Sequence, residues 1–137
     1  MILCDTGALI CFIDPDEPKH LAYKKVFLSL PKPFTTTWGC LSEAMYLAGN
    51  RGGWRMQKQL GKLLTEELLI VYEIIPDDYE LLLALMEKYC DRPMDLADAS
   101  LVLAAEKTGC QRILTIDSDF FIYRLQNGET LEIIATE

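Results

Sequence analysis

The stretch ILTIDSDF, residues 113–120, sets an apolar run directly against two carboxylates, Asp117 and Asp119, with only Ser118 between them. Apolar and β-branched residues that stop abruptly at charge read as a buried strand whose carboxyl end carries the acids. Such an end presents a phosphotransfer aspartate, presents a metal site, or simply turns. The rest of the chain has to decide among the three.

Outward from this stretch, the same strand-then-acid pattern opens the chain. Residues 1–4 form a short apolar strand that stops at Asp5-Thr6-Gly7, and residues 8–13 read as a short helix. Residues 20–30 have helical periodicity through Leu21, Val26, Phe27 and Leu30, closed by Pro31 and Pro33. A β-rich segment, 34–37, precedes two predicted helices, 38–49 and 54–64, separated by Gly52-Gly53. LLIVYEII, residues 68–75, is the most strand-like run. Pro76-Asp77-Asp78 starts a helix that continues over 79–89, and Asp91-Arg92-Pro93 breaks it. Residues 94–108 form a strongly apolar helix with Gly109 at its C-cap. Strands follow at 112–116 and 131–134. Short strands alternating with helices predict one α/β domain over residues 1–137, with right-handed crossovers and a mainly parallel sheet covered on both faces.

Composition narrows the function. A chain of 137 residues, half of it apolar, is long enough to bury roughly two-thirds of its unfolded surface. The net charge of −8 opposes tight, non-specific nucleic-acid binding, which needs a basic face to displace counterions. Nucleic acid remains open as a substrate if cations gather among the acids. Cys4, Cys11, Cys40, Cys90 and Cys110 are odd in number and lie in or beside apolar segments. They are expected to be small buried hydrophobes in a reducing compartment rather than a disulfide or metal framework. The N-terminal stretch MILCDTGALICFID lacks a basic leader, and no apolar run approaches the ~20 residues of a membrane span. A cytoplasmic location is the expectation. His20, the single histidine, is expected to be exposed near a Pro turn.

Ligands of open α/β sheets bind outside the carboxyl ends of the strands, where Asp5 and Asp117 lie. Glu43 interrupts an otherwise apolar helix between Leu41 and Ala44. Asp95 and Asp98, three apart, share one face of the apolar helix near its start. Each has a local reading as well. Asp95 can cap its helix with Asp98 favouring the dipole, Asp5 can cap the following helix, Asp119 can start a turn, and Glu43 can face solvent. Gathered together, these acids repel unless something neutralises them. With no His/Cys set for zinc, a hard divalent cation, Mg²⁺ or Mn²⁺, fits an all-oxygen site, and that points to phosphoryl chemistry.

The blocks D-T-G-A-L (5–9), S-E (42–43), D-L-A-D-A-S (95–100) and T-I-D-S-D-F (115–120), in this order, resemble a PIN domain, and within it the VapC-like toxin ribonucleases. The resemblance covers nearly the whole chain. It implies a three-layer α/β/α fold and a Mg²⁺- or Mn²⁺-dependent endoribonuclease. It implies that Asp5, Glu43, Asp98 and Asp117 form the catalytic quartet, with Asp5, Asp98 and Asp117 on the metal. Asp95, Asp119, Thr6 and Thr115 would support them. It further implies an RNA substrate, a homodimer and a cognate antitoxin whose basic side chain enters the acidic pocket. Gly7 departs from the Ser or Asn of many relatives. The best sequence candidate for an RNA path is Arg51, Arg55, Lys58 and Lys62, at helical spacing, with a solvated helix face as the competing reading.

Other classes fare worse. A haloacid dehalogenase-like phosphatase with Asp117 as nucleophile needs a Lys and a further acidic pair downstream, and the residues after Asp119 hold neither Lys nor Asp. A receiver domain needs an acidic pair after the first strand and a late Lys, whereas Asp5 stands alone and no Lys follows Lys107. The remaining alternative is a non-catalytic PIN module that binds RNA or a protein partner.

Overall fold

The structure, a computed structural model, describes residues 1–134; the last three residues of the expected 1–137 domain lie outside the described residues. The strands are β1 (Leu3–Cys4), β2 (Phe34–Thr36), β3 (Leu69–Val71), β4 (Arg112–Leu114) and β5 (Glu132–Ile133). They form one sheet in the order β3-β2-β1-β4-β5, and every pairing in it is parallel. The helices are α1 (Thr6–Ile13), α2 (His20–Ser29), α3 (Trp38–Thr65), α4 (Tyr79–Lys88) and α5 (Leu96–Thr108).

Alternation along the central strands splits the core in two. Ile2, Cys4 and Leu114 point to one face and pack with α1, α2 and α3 around Leu9, Phe27 and Leu60. Leu3 and Ile113 point to the other, against α4, α5 and the segment after β4. The period-two side-chain rule thus yields three layers, α/β/α. From β1 the chain winds outward through β2 and β3, then crosses back to β4 on the far side of β1. The direction of winding reverses between β1 and β4, which is where a ligand crevice is expected in such a sheet.

The strands are shorter than the sequence predicts. The stretch 68–75 gives only Leu69–Val71, because β3 is an edge strand whose one neighbour, β2, has three residues before α3 begins. Tyr72 N–H still donates to the Thr36 carbonyl at 2.9 Å, and the chain then leaves the sheet. β4 likewise stops at Leu114, whose carbonyl accepts from the Asp5 N–H at 3.2 Å.

Gly53, at φ 64° and ψ −157°, divides α3, as Gly52-Gly53 predicts; a left-handed φ suits glycine because it has no Cβ to clash. The two halves fold back on one another. Gln57 Nε2 donates to the Met45 carbonyl at 3.0 Å, across twelve residues that a straight helix would hold about 18 Å apart.

Three local expectations are corrected. Cys4, Cys11, Cys40 and Cys110 are buried, but Cys90 is exposed, since α4 ends at Lys88 and the chain turns outward into solvent. His20 is partly buried, its Nδ1–H donating to the Cys11 carbonyl at 2.8 Å, which ties the end of α1 to the start of α2. The apolar helix begins at Leu96 rather than Met94, because Asp95 caps it.

Candidate active site

The crevice between the ends of β1 and β4 is lined by carboxylates. Asp5, Glu43, Asp95, Asp98 and Asp117 face one cleft of about 200 Å³, with Thr6, Gly7, Cys40 and Ile116 completing the wall. Three of the acids arrive by a local device that the backbone needs anyway. Asp5 N-caps α1, accepting from the Ala8 N–H at 2.9 Å. Asp95 N-caps α5, accepting from the Asp98 N–H at 2.8 Å. Asp117 caps the 3-10 turn Ser118–Phe121, accepting from the Asp119 N–H at 2.9 Å. Capping and site-building are therefore the same act for these three residues.

Glu43 is placed by close packing of α3 on α5. A Cβ on Gly39 would lie 3.1 Å from the Ala97 backbone, so a side chain there would press the two helices apart by a few tenths of an ångström. The buried hydroxyls of Thr37 and Ser100 meet at 2.6 Å across the same contact. One turn beyond Gly39, Glu43 then stands opposite Asp95 and Asp98.

One carboxylate oxygen from each of Asp98, Asp117 and Asp119 lies within 4.8 Å of the others. Asp119 thus stands beside Asp98 and Asp117 without lining the cleft itself. Asp5 is more deeply set, 6 % exposed, with the Thr115 hydroxyl donating to its Oδ2. Among the described residues the one cation near these acids is Arg92, 4.0 Å from Asp119, and no cation lies within 4.0 Å of Asp5 or Asp98.

The protonation equilibria record that shortage. Burial pushes Asp5 up to about 6, and the charges of Asp117 and Glu43 add to it against the bonds from Thr115 and Ala8. Burial pushes Asp98 up to about 7, with Asp95 as the next cause. Glu43 is raised for the same two reasons, burial and then Asp95. The donor set is all oxygen; the Cys40 thiol, pushed up to about 12 chiefly by burial, stays protonated and points at the Ala97 carbonyl. These residues fit a hard divalent cation, whose charge would offset both the burial and the mutual repulsion that raise their proton affinity.

The PIN domain family model matches residues 2–125. The chain belongs to the PIN domain family. It is 25% identical over 130 residues to the ribonuclease VapC26 of Mycobacterium tuberculosis, covering 88% of this chain and 89% of that protein. In fold it is similar to M. tuberculosis VapC20, a toxin that cleaves the sarcin-ricin loop, at a TM-score of 0.79 and 20% identity over 87% of this chain and 92% of that one. A toxin–antitoxin complex from Klebsiella pneumoniae matches at a TM-score of 0.71 and 18% identity, covering 100% of this chain and 98% of that one.

Within this PIN domain the supporting threonines hold the walls. Thr6 Oγ1 donates to the Cys40 carbonyl at 3.0 Å, fastening α1 to α3, and Thr115 accepts from the Asp117 N–H at 2.9 Å while binding Asp5. Gly7 leaves room rather than losing a contact: a Cβ there would lie 2.7 Å from Ile116 Cγ1, so Ile116 forms an apolar wall beside Asp5.

The candidate basic stripe loses Arg51, while Arg55, Lys58 and Lys62 remain on one continuous helix after Gly53. Gly53 breaks the helix between Arg51 and Arg55, and Arg51 is engaged by Asp14 and Glu17 at 2.9 and 2.5 Å. Arg55 turns toward Pro15 and Met56, while Lys58 and Lys62 flank a separate apolar cleft with Trp54. Helical spacing assumed one continuous helix, and the hairpin removes that premise.

Tyr123 is what sequence reasoning missed. It is fully buried, and its hydroxyl donates to Asp98 Oδ2 at 3.0 Å. An aromatic within a C-terminal apolar stretch carries no signal beyond core packing.

Proposed function

We propose that this PIN domain, a single unit over residues 1–137, is a Mg²⁺- or Mn²⁺-dependent endoribonuclease and the toxin of a toxin–antitoxin pair, acting in the cytoplasm. The observation that carries this reading is the convergence of five carboxylates from four separate segments on one cleft, two of them with pKa raised to about 6 and about 7. A pure binding module has no use for mutually repelling acids at the point where the sheet opens. The ribonuclease and toxin names of its relatives set the substrate class.

Asp5, Asp98 and Asp117 would hold the cation, with Asp119 beside them. When bound, it would supply Lewis acidity toward a water and toward the leaving oxygen of an RNA phosphodiester. Glu43, with its raised proton affinity and its place across the cleft, orients the attacking water and accepts its proton. Thr115 holds the Asp5 carboxylate, and Asp95 fixes the first turn of α5 beneath Asp98. The cleft's acidity also defines an inhibitor: an antitoxin side chain bearing a guanidinium or ammonium would neutralise the carboxylates as a metal does. A homodimer is the assembly proposed for the toxin.

Purified protein incubated with structured RNAs and Mn²⁺ is expected to cleave them, EDTA to stop the reaction, and Asp5→Asn to lower the rate about 10³-fold, equivalent to about 4 kcal/mol. Wild-type protein that cuts no faster than Asp5→Asn in Mn²⁺ would count against the enzyme reading.

A further inference from the structure

We infer that Tyr123 is a positioning residue of the acidic centre, holding the Asp98 carboxylate through a hydrogen bond to Oδ2 so that the acids of α5 and of the β4 end keep one mutual geometry. The functional consequence, though not the geometry, rests on the metal-dependent reading above.

Four observations carry it. First, the ring is fully buried and the hydroxyl's partner is Asp98 alone among the described residues, 25 positions away on another element. A buried phenol needs some acceptor, and a backbone carbonyl would serve; this one is directed at a carboxylate of the cleft. Second, the ring has little freedom. Tyr89 and Phe120 stand edge-on to it at centroid distances of 5.0 and 5.2 Å. Third, the backbone beneath it is fastened. The Arg124 N–H donates to the Tyr89 hydroxyl at 2.8 Å, and the Arg124 guanidinium donates to the carbonyls of Phe121, Ile122 and Tyr123. Fourth, Tyr123 lies in the segment that supplies Asp117 and Asp119, so one stiff stretch of chain sets two acids directly and a third by its hydroxyl.

Thr115 performs the matching act on Asp5. Each of the two acids with the most strongly raised proton affinity thus has one hydroxyl donor, from a residue outside the carboxylate set. An O–H to a carboxylate is a charge-assisted bond, stronger and more directional than a neutral one. Partners of this kind behind a ligand typically change metal affinity or activity by about 10–100-fold when removed.

Tyr123→Phe keeps the ring and removes only the hydroxyl. By calorimetry it is expected to bind Mn²⁺ about 10-fold more weakly than wild type, with kcat for RNA falling at limiting metal and KM for RNA unchanged. Tyr72→Phe, which removes a phenol hydroxyl from the Asp78 carboxylate outside the cleft, is expected to keep Mn²⁺ affinity within about twofold. The inference is overturned by a Tyr123→Phe affinity equal to wild type, by an equal loss in Tyr72→Phe, or by a Tyr123→Phe protein that does not fold. If wild type binds Mn²⁺ but cuts no RNA, the ribonuclease reading fails while the Mn²⁺ comparison still decides the part played by Tyr123. Wild type with no measurable Mn²⁺ affinity sinks both.

Discussion

Asp14 and Asp5 expose little surface, 4 % and 6 %, and both cap or adjoin α1, yet Asp5 lies deeper in the protein and their partners differ in kind. Asp14 accepts from the Asp16 N–H at 3.0 Å and from Arg51 at 2.9 Å; these bonds, the backbone one first, hold it below the usual carboxylate range. Asp78, 2 % exposed, has the Tyr72 hydroxyl, the Ile75 N–H and Lys107 around it. Asp5 has hydroxyl and N–H donors but no cation, and further acids face it. The two buried acids away from the cleft have a cation as well as hydrogen-bond donors, and among the described residues Asp5, the buried acid of the cleft, has donors alone. Buried charge normally demands a partner, so the exception marks where a partner from outside is meant to sit.

Three perturbations press on that contrast. The largest effect is expected from Arg51→Ala, which strips the cation from a buried Asp14 and loosens the hairpin tip of α3. A loss of about 1–3 kcal/mol in urea unfolding should follow, partly restored by adding Asp14→Asn. No loss would mean that Asp14 is as tolerant of isolation as Asp5.

The opposite sign is expected at the cleft. Asp98 has a folded pKa of about 7, raised above its unfolded value of about 3.9, so its protonation favours the folded state. That stability is present at low pH and is lost as pH rises through about 7. Without metal, the wild-type melting temperature should therefore fall between about pH 4 and pH 8 more steeply than that of Asp98→Asn, and Mn²⁺ should restore it at pH 8. Superimposable curves for the two proteins would remove the electrostatic case for a frustrated site. Smallest is Lys107→Ala. Lys107 approaches Asp78 only to 3.7 Å and is 43 % exposed, and two other donors remain on that acid. A change of about 0.5 kcal/mol is expected; a loss as large as that from Arg51→Ala would show that a cation, and not hydrogen bonding, is what a buried acid here requires.

Much of the site was legible in the sequence because each acid obeys a local rule. Asp5 and Asp117 end apolar strands, Asp95 caps an apolar helix, and Asp98 falls three residues later on its face. The three-layer architecture was legible for the same reason, since alternating strands and apolar helices leave few ways to cover a parallel sheet. Strand lengths were not, because LLIVYEII has the propensity for eight residues of strand but a neighbour offering only three. Arg51 fell out of the Arg51-to-Lys62 stripe because Gly53 turns the helix back, which periodicity does not register.

The sequence by itself determined which elements form and which acids stand at their ends, because capping, alternation and helical periodicity act over a few residues. Only the tertiary structure decided which acids receive a cation and which are left to repel one another. Arg51 reaches Asp14 across 37 positions, and the Tyr123 hydroxyl reaches Asp98 across 25. Coulomb and hydrogen-bond energies depend on distance in space, and that distance exists only once the sheet has brought the strand ends together.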